Sequence, residues 1–136
     1  MRRRTFLAGA AGVSASVLAG CLGSGAPGDH DVGMAANAFE PPTYEATVGE
    51  TVVWGNNGSR SHSVTAYEGG IPEAAEYFAS GGFESERAAR DGYWNGEGVV
   101  YAGETYEHTF DVPGEYQYFC VPHERAGMVG RIVVTE

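Results

Sequence analysis

Four residues of this chain could do chemistry together. Cys120-Val121-Pro122-His123-Glu124-Arg125-Ala126-Gly127-Met128 sets Cys, His and Met at spacings of three and five. A strand end feeding one tight loop can aim all three at a single point. His62 lies far upstream, also just past a strand-and-turn pattern, and only the fold can bring it to that point. Two imidazoles, a thiolate and a weak thioether make up the donor set of an electron-transfer copper site. Thiolate and thioether are soft and suit Cu(I), while imidazole accepts Cu(II) as well. A rigid mixed set therefore serves both states with little movement, and the axial thioether adjusts the potential.

Other chemistries fit less well. Zinc accepts two His and a Cys, but structural zinc usually takes four strong ligands and Met is a poor one. A Cys-His pair could be a nucleophile and its base, yet no oxyanion-hole or acid–base arrangement accompanies it. Cys120 alone could be a small buried hydrophobe. Each residue singly is more often structural, and it is the combination that points to a metal.

The elements that must position them read as short strands. Tyr44–Val48 and Thr51–Trp54 flank a Gly49-Glu50 turn, and Asn56-Asn57-Gly58 breaks the chain again. Ser63–Tyr67 is a further strand. Thr105–Phe110 alternates, with Tyr106, His108 and Phe110 on one side. Asp111-Val112-Pro113-Gly114 is a turn, Glu115–Phe119 a strand, and Met128–Thr135 the last one. This spacing predicts a β-sandwich or barrel. Between them, Pro72–Ala79 predicts a short helix with Pro in its first turn, ended by Gly81-Gly82, and Ser85–Arg90 a second helical turn. Trp54, Tyr116, Tyr118 and Phe119 read as core or sheet-face residues, and His108 as a packed structural His.

At 136 residues the chain holds one domain with a real core. All eight basic residues are Arg, and the net charge is −10. Nucleic acid is excluded as a partner, because phosphate binding needs a basic face. An acidic, Lys-free surface suits solubility at high salt. Glu73, Glu76, Glu84 and Glu86 form an acidic cluster that fits solvation in brine, with steering of a basic partner as the second possibility.

The N-terminus begins Arg2-Arg3-Arg4-Thr5-Phe6-Leu7, and a weakly apolar run follows to Gly20. A basic start before a short apolar stretch is the layout of an export signal. A membrane span needs about 20 apolar residues. Paired arginines before Phe-Leu resemble the twin-arginine signal. Leu18-Ala19-Gly20-Cys21 resembles the lipobox of exported lipoproteins, with cleavage before Cys21 and lipid on its sulfur. Residues 1–20 are thus expected to be a twin-arginine lipoprotein signal peptide and 21–31 a flexible tether that includes a solvated His30. Gly/Ser/Pro-rich residues over that length span roughly 17 Å. The domain would follow over 32–136, on the outer face of the cell membrane. A single lipid group holds only marginally.

The segment Gly114–His123, continuing through Ala126-Gly127-Met128-Val129-Gly130, resembles the copper loop of plastocyanins. It resembles most of all that of their relatives in salt-loving archaea, the halocyanins. Asn56–Val64 resembles the plastocyanin loop that carries the first His ligand. The resemblance covers nearly all of Val32–Glu136, strongly at both ligand loops and weakly over Gly69–Gly98. It implies an all-β cupredoxin fold, a Greek-key β-sandwich of two sheets with a short helical insertion around residues 72–90. It implies one copper ion, Cu(I)/Cu(II), with His62, Cys120 and His123 as equatorial ligands and Met128 axial. Ser63, Asn57 and Pro122 would support them from behind. Plastocyanins usually carry Asn where Ser63 stands, bridging the two ligand loops. Arg125 replaces a small residue and sets a cation near the docking face. Pro122, Ala126, Gly127 and Met128 would form an apolar patch around His123 where electrons enter and leave. The implied role is electron transfer by a monomer between a redox donor and acceptor of a respiratory or related chain, with no substrate transformed.

Overall fold

The structure, a computed structural model, describes residues 30–136. The proposed signal, most of the tether and Cys21 lie outside the described residues.

Eight strands form two four-stranded sheets. They are β1 (Val32–Met34), β2 (Phe39–Glu40), β3 (Thr43–Thr47), β4 (Thr51–Gly55), β5 (Thr65–Ala66), β6 (Thr105–Thr109), β7 (Gly114–Phe119) and β8 (Val129–Thr135). One sheet runs β2-β1-β4-β6 and the other β3-β8-β7-β5. The pairings β1–β4 and β3–β8 are parallel and the remainder antiparallel, so the chain crosses between sheets repeatedly. This is the sandwich that the strand spacing predicts.

Alternation along the strands decides which side faces in. In β7 the side chains of Tyr116 and Tyr118 are buried while Glu115 and Gln117 are exposed. Trp54 of β4 is fully buried and meets the edge of Tyr118 from the opposite sheet at a centroid distance of 5.4 Å. Phe39, Phe78, Phe110 and Tyr116 complete the aromatic centre. Burying each large apolar side chain is worth about 1.5–3 kcal/mol, so this cluster dominates the favourable side of folding.

The insertion departs from the expected pattern. Pro72–Ala79 does not form a helix. Only the single turn closed by Ala75 N–H donating to Pro72 O at 3.0 Å appears. The chain then extends, and Ala66 N–H donates to Phe78 O at 3.2 Å while Ser80 N–H donates to Val64 O at 2.7 Å. Helix propensity of Glu73-Ala74-Ala75 is a few tenths of a kcal/mol per residue, whereas Phe78 gains a core position only from the extended form. No Ser, Thr, Asp or Asn precedes Pro72 to cap a helix. The helix lies further on, as α1 (Glu86–Trp94). Ser85 caps it by accepting from Ala88 N–H at 3.1 Å, and Glu86 sits in its first turn. Strand β5 is also shorter than Ser63–Tyr67, because Ser63 and Val64 bond to loops instead of to a neighbouring strand.

His30 is not solvated in a tether. Its ring lies against Gly33 and Gly55, which pair side by side across β1 and β4; a Cβ on Gly55 would sit 2.8 Å from His30 Nδ1. Asp31 is pinned as well, its N–H donating to Val53 O and its carboxylate accepting from Val53 N–H. His30 and Asp31, the last two residues assigned to the tether, are therefore both held against the sheet.

Candidate metal centre

His62, Cys120 and His123 converge. Their ligand atoms all lie within 4.8 Å of one another. Nδ1 of His62 is 3.5 Å from Cys120 Sγ, and Nδ1 of His123 is 3.4 Å from the same sulfur. The two imidazole rings are 5.0 Å apart and inclined at 59°.

Each is placed by a different device. His62 follows β4 by a loop that Asn56 organises. Its buried amide donates to Arg60 O and Val100 O, at 2.7 and 2.9 Å, and its Oδ1 accepts from Gly58 N–H. Backbone bonds in both directions between His62 and Val100 then fix the residue. The expected supporting residue in this loop was Asn57, but Asn57 is exposed and the work falls to its neighbour Asn56. The Asn-x-Gly spacing of Asn56 and Gly58 is the signal for that turn.

Cys120 follows directly on the end of β7 and is completely buried. A 3-10 segment, Val121–Ala126, then carries His123 and begins with Pro122 in its first turn. Gly127 closes the loop at φ 92°, a left-handed conformation that glycine adopts without penalty, and donates to Glu124 O at 2.9 Å. Met128 returns to the sheet. Its N–H donates to His123 O and its carbonyl accepts from Cys120 N–H, so its backbone is bonded to both other residues of the loop. Its side chain is fully buried. It therefore adds nothing to an outer apolar patch, whose exposed members are Ala126, Gly127 and Val129 beside half-buried Pro122.

Ser63 joins the two loops despite its short side chain. Its N–H donates to Cys120 Sγ at 3.4 Å, and its hydroxyl accepts from Val121 N–H at 2.9 Å and meets the Thr65 hydroxyl at 2.9 Å. Thr65, which sequence reasoning did not single out, is 1% exposed and supports Ser63 from below.

Burial also sets the protonation states. It lowers His62 to about 4, with the neighbouring His123 and Arg60 acting in the same direction. It lowers His123 too, again assisted by Arg60. It raises the Cys120 thiol to about 11 against the opposing hydrogen bonds from Ser63 and His123. Two neutral imidazoles and a buried thiol are a donor set that a soft cation completes by displacing one proton. The residues present therefore fit copper: the nitrogen and sulfur donors point at one another, and among the described residues no carboxylate joins them.

Comparison with known proteins agrees. The family model described as copper binding proteins, plastocyanin/azurin family, matches residues 28–135. The chain belongs to the plastocyanin/azurin family of copper-binding proteins. It is 36% identical to the chloroplastic plastocyanin of Chlamydomonas reinhardtii over 94% of this chain and 81% of that protein. It is also 36% identical to the chloroplastic plastocyanin of Tetradesmus obliquus, over 73% of this chain but only 59% of the relative's length. Among solved structures, an oxidised methionine-to-leucine mutant of amicyanin aligns with a TM-score of 0.57 at 27% identity, over 80% of this chain and 84% of that one. A reduced tryptophan-to-tyrosine mutant of amicyanin gives 0.55 at 26% identity, over 76% and 78% of the two chains. As a member of this family, the chain has the cupredoxin sandwich expected from its ligand loops.

The insertion and its acidic residues have a more specific arrangement than a solvated cluster. Glu86 is half-buried and paired with Arg90 at 2.8 Å, while Glu73, Glu76 and Glu84 are exposed. His108 is half-buried and stacked on Phe78 at 4.7 Å, away from the metal centre.

Proposed function

We propose that the chain is a blue (type 1) copper electron carrier, not an enzyme, with His62, Cys120, His123 and Met128 as its ligands. The observation that carries this reading is the convergence of two imidazole nitrogens on one buried thiol, with a buried Met backbone-bonded to the same loop. Copper bound there supplies a one-electron Cu(I)/Cu(II) couple.

The chain's own part is to hold the donors still and dry. His62, Cys120 and Met128 are fully buried; backbone bonds tie Cys120 and Met128 to one another and His62 to Val100. A fixed donor set costs little reorganisation when charge changes. His123 is the one ligand that reaches the surface. Its edge, flanked by Pro122 and Ala126, is the portal for electrons.

The finer identity is a halocyanin-type carrier of a salt-loving archaeon. The Lys-free acidic composition and the ligand-loop resemblance support this. The leader supports export and a lipid on Cys21 at the outer face of the cell membrane, where the carrier serves a membrane-associated redox donor and acceptor. Redox cycling of the copper-loaded protein, followed in the visible, tests the reading.

A further inference from the structure

Helix α1 has no part in the ligand set, yet one of its side chains reaches the ligand loop twice. The Arg90 guanidinium lies 4.2 Å from the centroid of the Phe119 ring, the residue immediately before Cys120. The same guanidinium forks onto Glu124, the residue immediately after His123, with Nη1 donating to Oε1 at 2.8 Å and Nη2 to Oε2 at 3.3 Å. We infer that Arg90 is a positioning residue for the metal centre, bracing the Cys120–His123 segment at both ends from outside the sandwich.

The surroundings fix the guanidinium itself. Glu86, one turn earlier on α1, accepts from Arg90 Nε at 2.9 Å, which sets the plane of the fork. The Tyr67 hydroxyl donates to Glu124 Oε2 at 2.6 Å, and the Tyr67 ring lies 4.4 Å from that of Phe119. Arg90 and Tyr67 thus hold the same two residues, each touching the Phe119 ring and each donating to the Glu124 carboxylate.

The loop needs such a brace. Val121–Ala126 is two short 3-10 turns with no buried residue, joined across a kink at His123 (φ −122°, ψ 15°). Ser63 holds the start of the loop from the inside, through Val121 N–H. Beyond His123 the carboxylate of Glu124 is the handle, and α1 supplies the grip. A partly exposed ion pair contributes little to stability by itself, so the value of this one is geometric. A planar fork that stacks on a ring and chelates a carboxylate at once is a task that Arg performs and Lys does not.

This inference rests on the copper reading, and the experiment separates the two. Wild-type, R90M and R87M proteins are titrated with copper against a competing chelator, and the metal-free and loaded forms are each melted. Arg87 is exposed on the same helix and touches neither Phe119 nor Glu124 among the contacts of the described residues. R90M should bind copper about tenfold more weakly, the scale on which metal sites respond to loss of an outer support. It should also shift the visible band, and R87M should match wild type. If Arg90 only staples the helix to the sandwich, R90M destabilises the metal-free and loaded forms equally and leaves copper affinity and the band unchanged; that result overturns the inference and spares the copper reading. If R90M does not fold, E124A, which removes the handle and leaves the helix its ring contact, must weaken copper binding in the same assay, and unchanged binding overturns the inference. Wild-type protein that takes up no copper sinks the copper reading and this inference together.

Discussion

The hydroxyl of Ser63 accepts the Val121 amide proton at 2.9 Å, across 58 residues of sequence. With the Ser63 N–H donating to Cys120 Sγ, that bond ties the loop carrying His62 to the loop carrying Cys120 and His123. Plastocyanins usually place Asn at this position, and here the shorter Ser63 side chain makes the bridge. The bridge survives because Thr65 meets the Ser63 hydroxyl from the sheet and orients it.

Ser63→Ala should therefore destabilise the metal-free protein by about 1–3 kcal/mol, the cost of stranding a partner of a buried hydrogen bond. Denaturant unfolding at neutral pH measures it. An unchanged midpoint means that the two loops are held without this bridge.

Met128 is buried and its backbone is bonded to both neighbouring ligand residues. Met128→Leu should keep the intense colour, because the thiolate and both imidazoles remain. It should raise the reduction potential, since losing a weak axial donor disfavours Cu(II). Voltammetry of the loaded variant is the check, and an unchanged potential argues against axial ligation.

His108 supplies the pH dependence. Burial holds its pKa below the ordinary His value, with Glu76 and Asp111 only partly opposing. The unfolded chain thus takes up a proton at His108 before the folded one does. The stability that the neutral, stacked ring contributes is complete above the ordinary His value, about 6.5, and declines as pH falls from there toward the lowered one. His108→Phe keeps a ring against Phe78 and removes the proton site. Denaturant midpoints of the loaded proteins between pH 7 and pH 5 should fall less steeply for the variant than for wild type. Parallel slopes would mean that His108 titrates alike in both states.

The strands and the ligand loop were legible because their signals are local. Alternation in Thr105–Thr109 and Gly114–Phe119 reports one buried face, and the Cys120–Met128 spacing reports one loop. The Pro72–Ala79 segment was not, because its distant backbone partner is Ala66, bonded to Phe78 O, and its reward is a core position for Phe78. Neither is visible within the segment. Asn56 and Asn57 are adjacent and alike, and the one local cue that separates them is the two-residue spacing from Asn56 to Gly58, whose N–H its side chain accepts. Arg90 is ordinary in sequence and acquires its place only when α1 is set beside Phe119 and Glu124.

Anchoring is tested separately from the copper chemistry. Cys21→Ser should move the protein from the membrane fraction to the soluble fraction, because the lipid would have lost its attachment sulfur. Retention in the membrane fraction would mean that something other than a lipid on Cys21 holds it.

The central claim is that Cys120 binds copper as a thiolate between two imidazoles. A visible spectrum of the copper-loaded protein, recorded through one cycle of reduction and reoxidation beside Cys120→Ser, tests it most directly. The wild type should show an intense sulfur-to-copper band that bleaches on reduction and returns on oxidation, and the variant should lack that band even where copper still binds. A colourless Cu(II) form of the wild type, or a band that persists in Cys120→Ser, would contradict it.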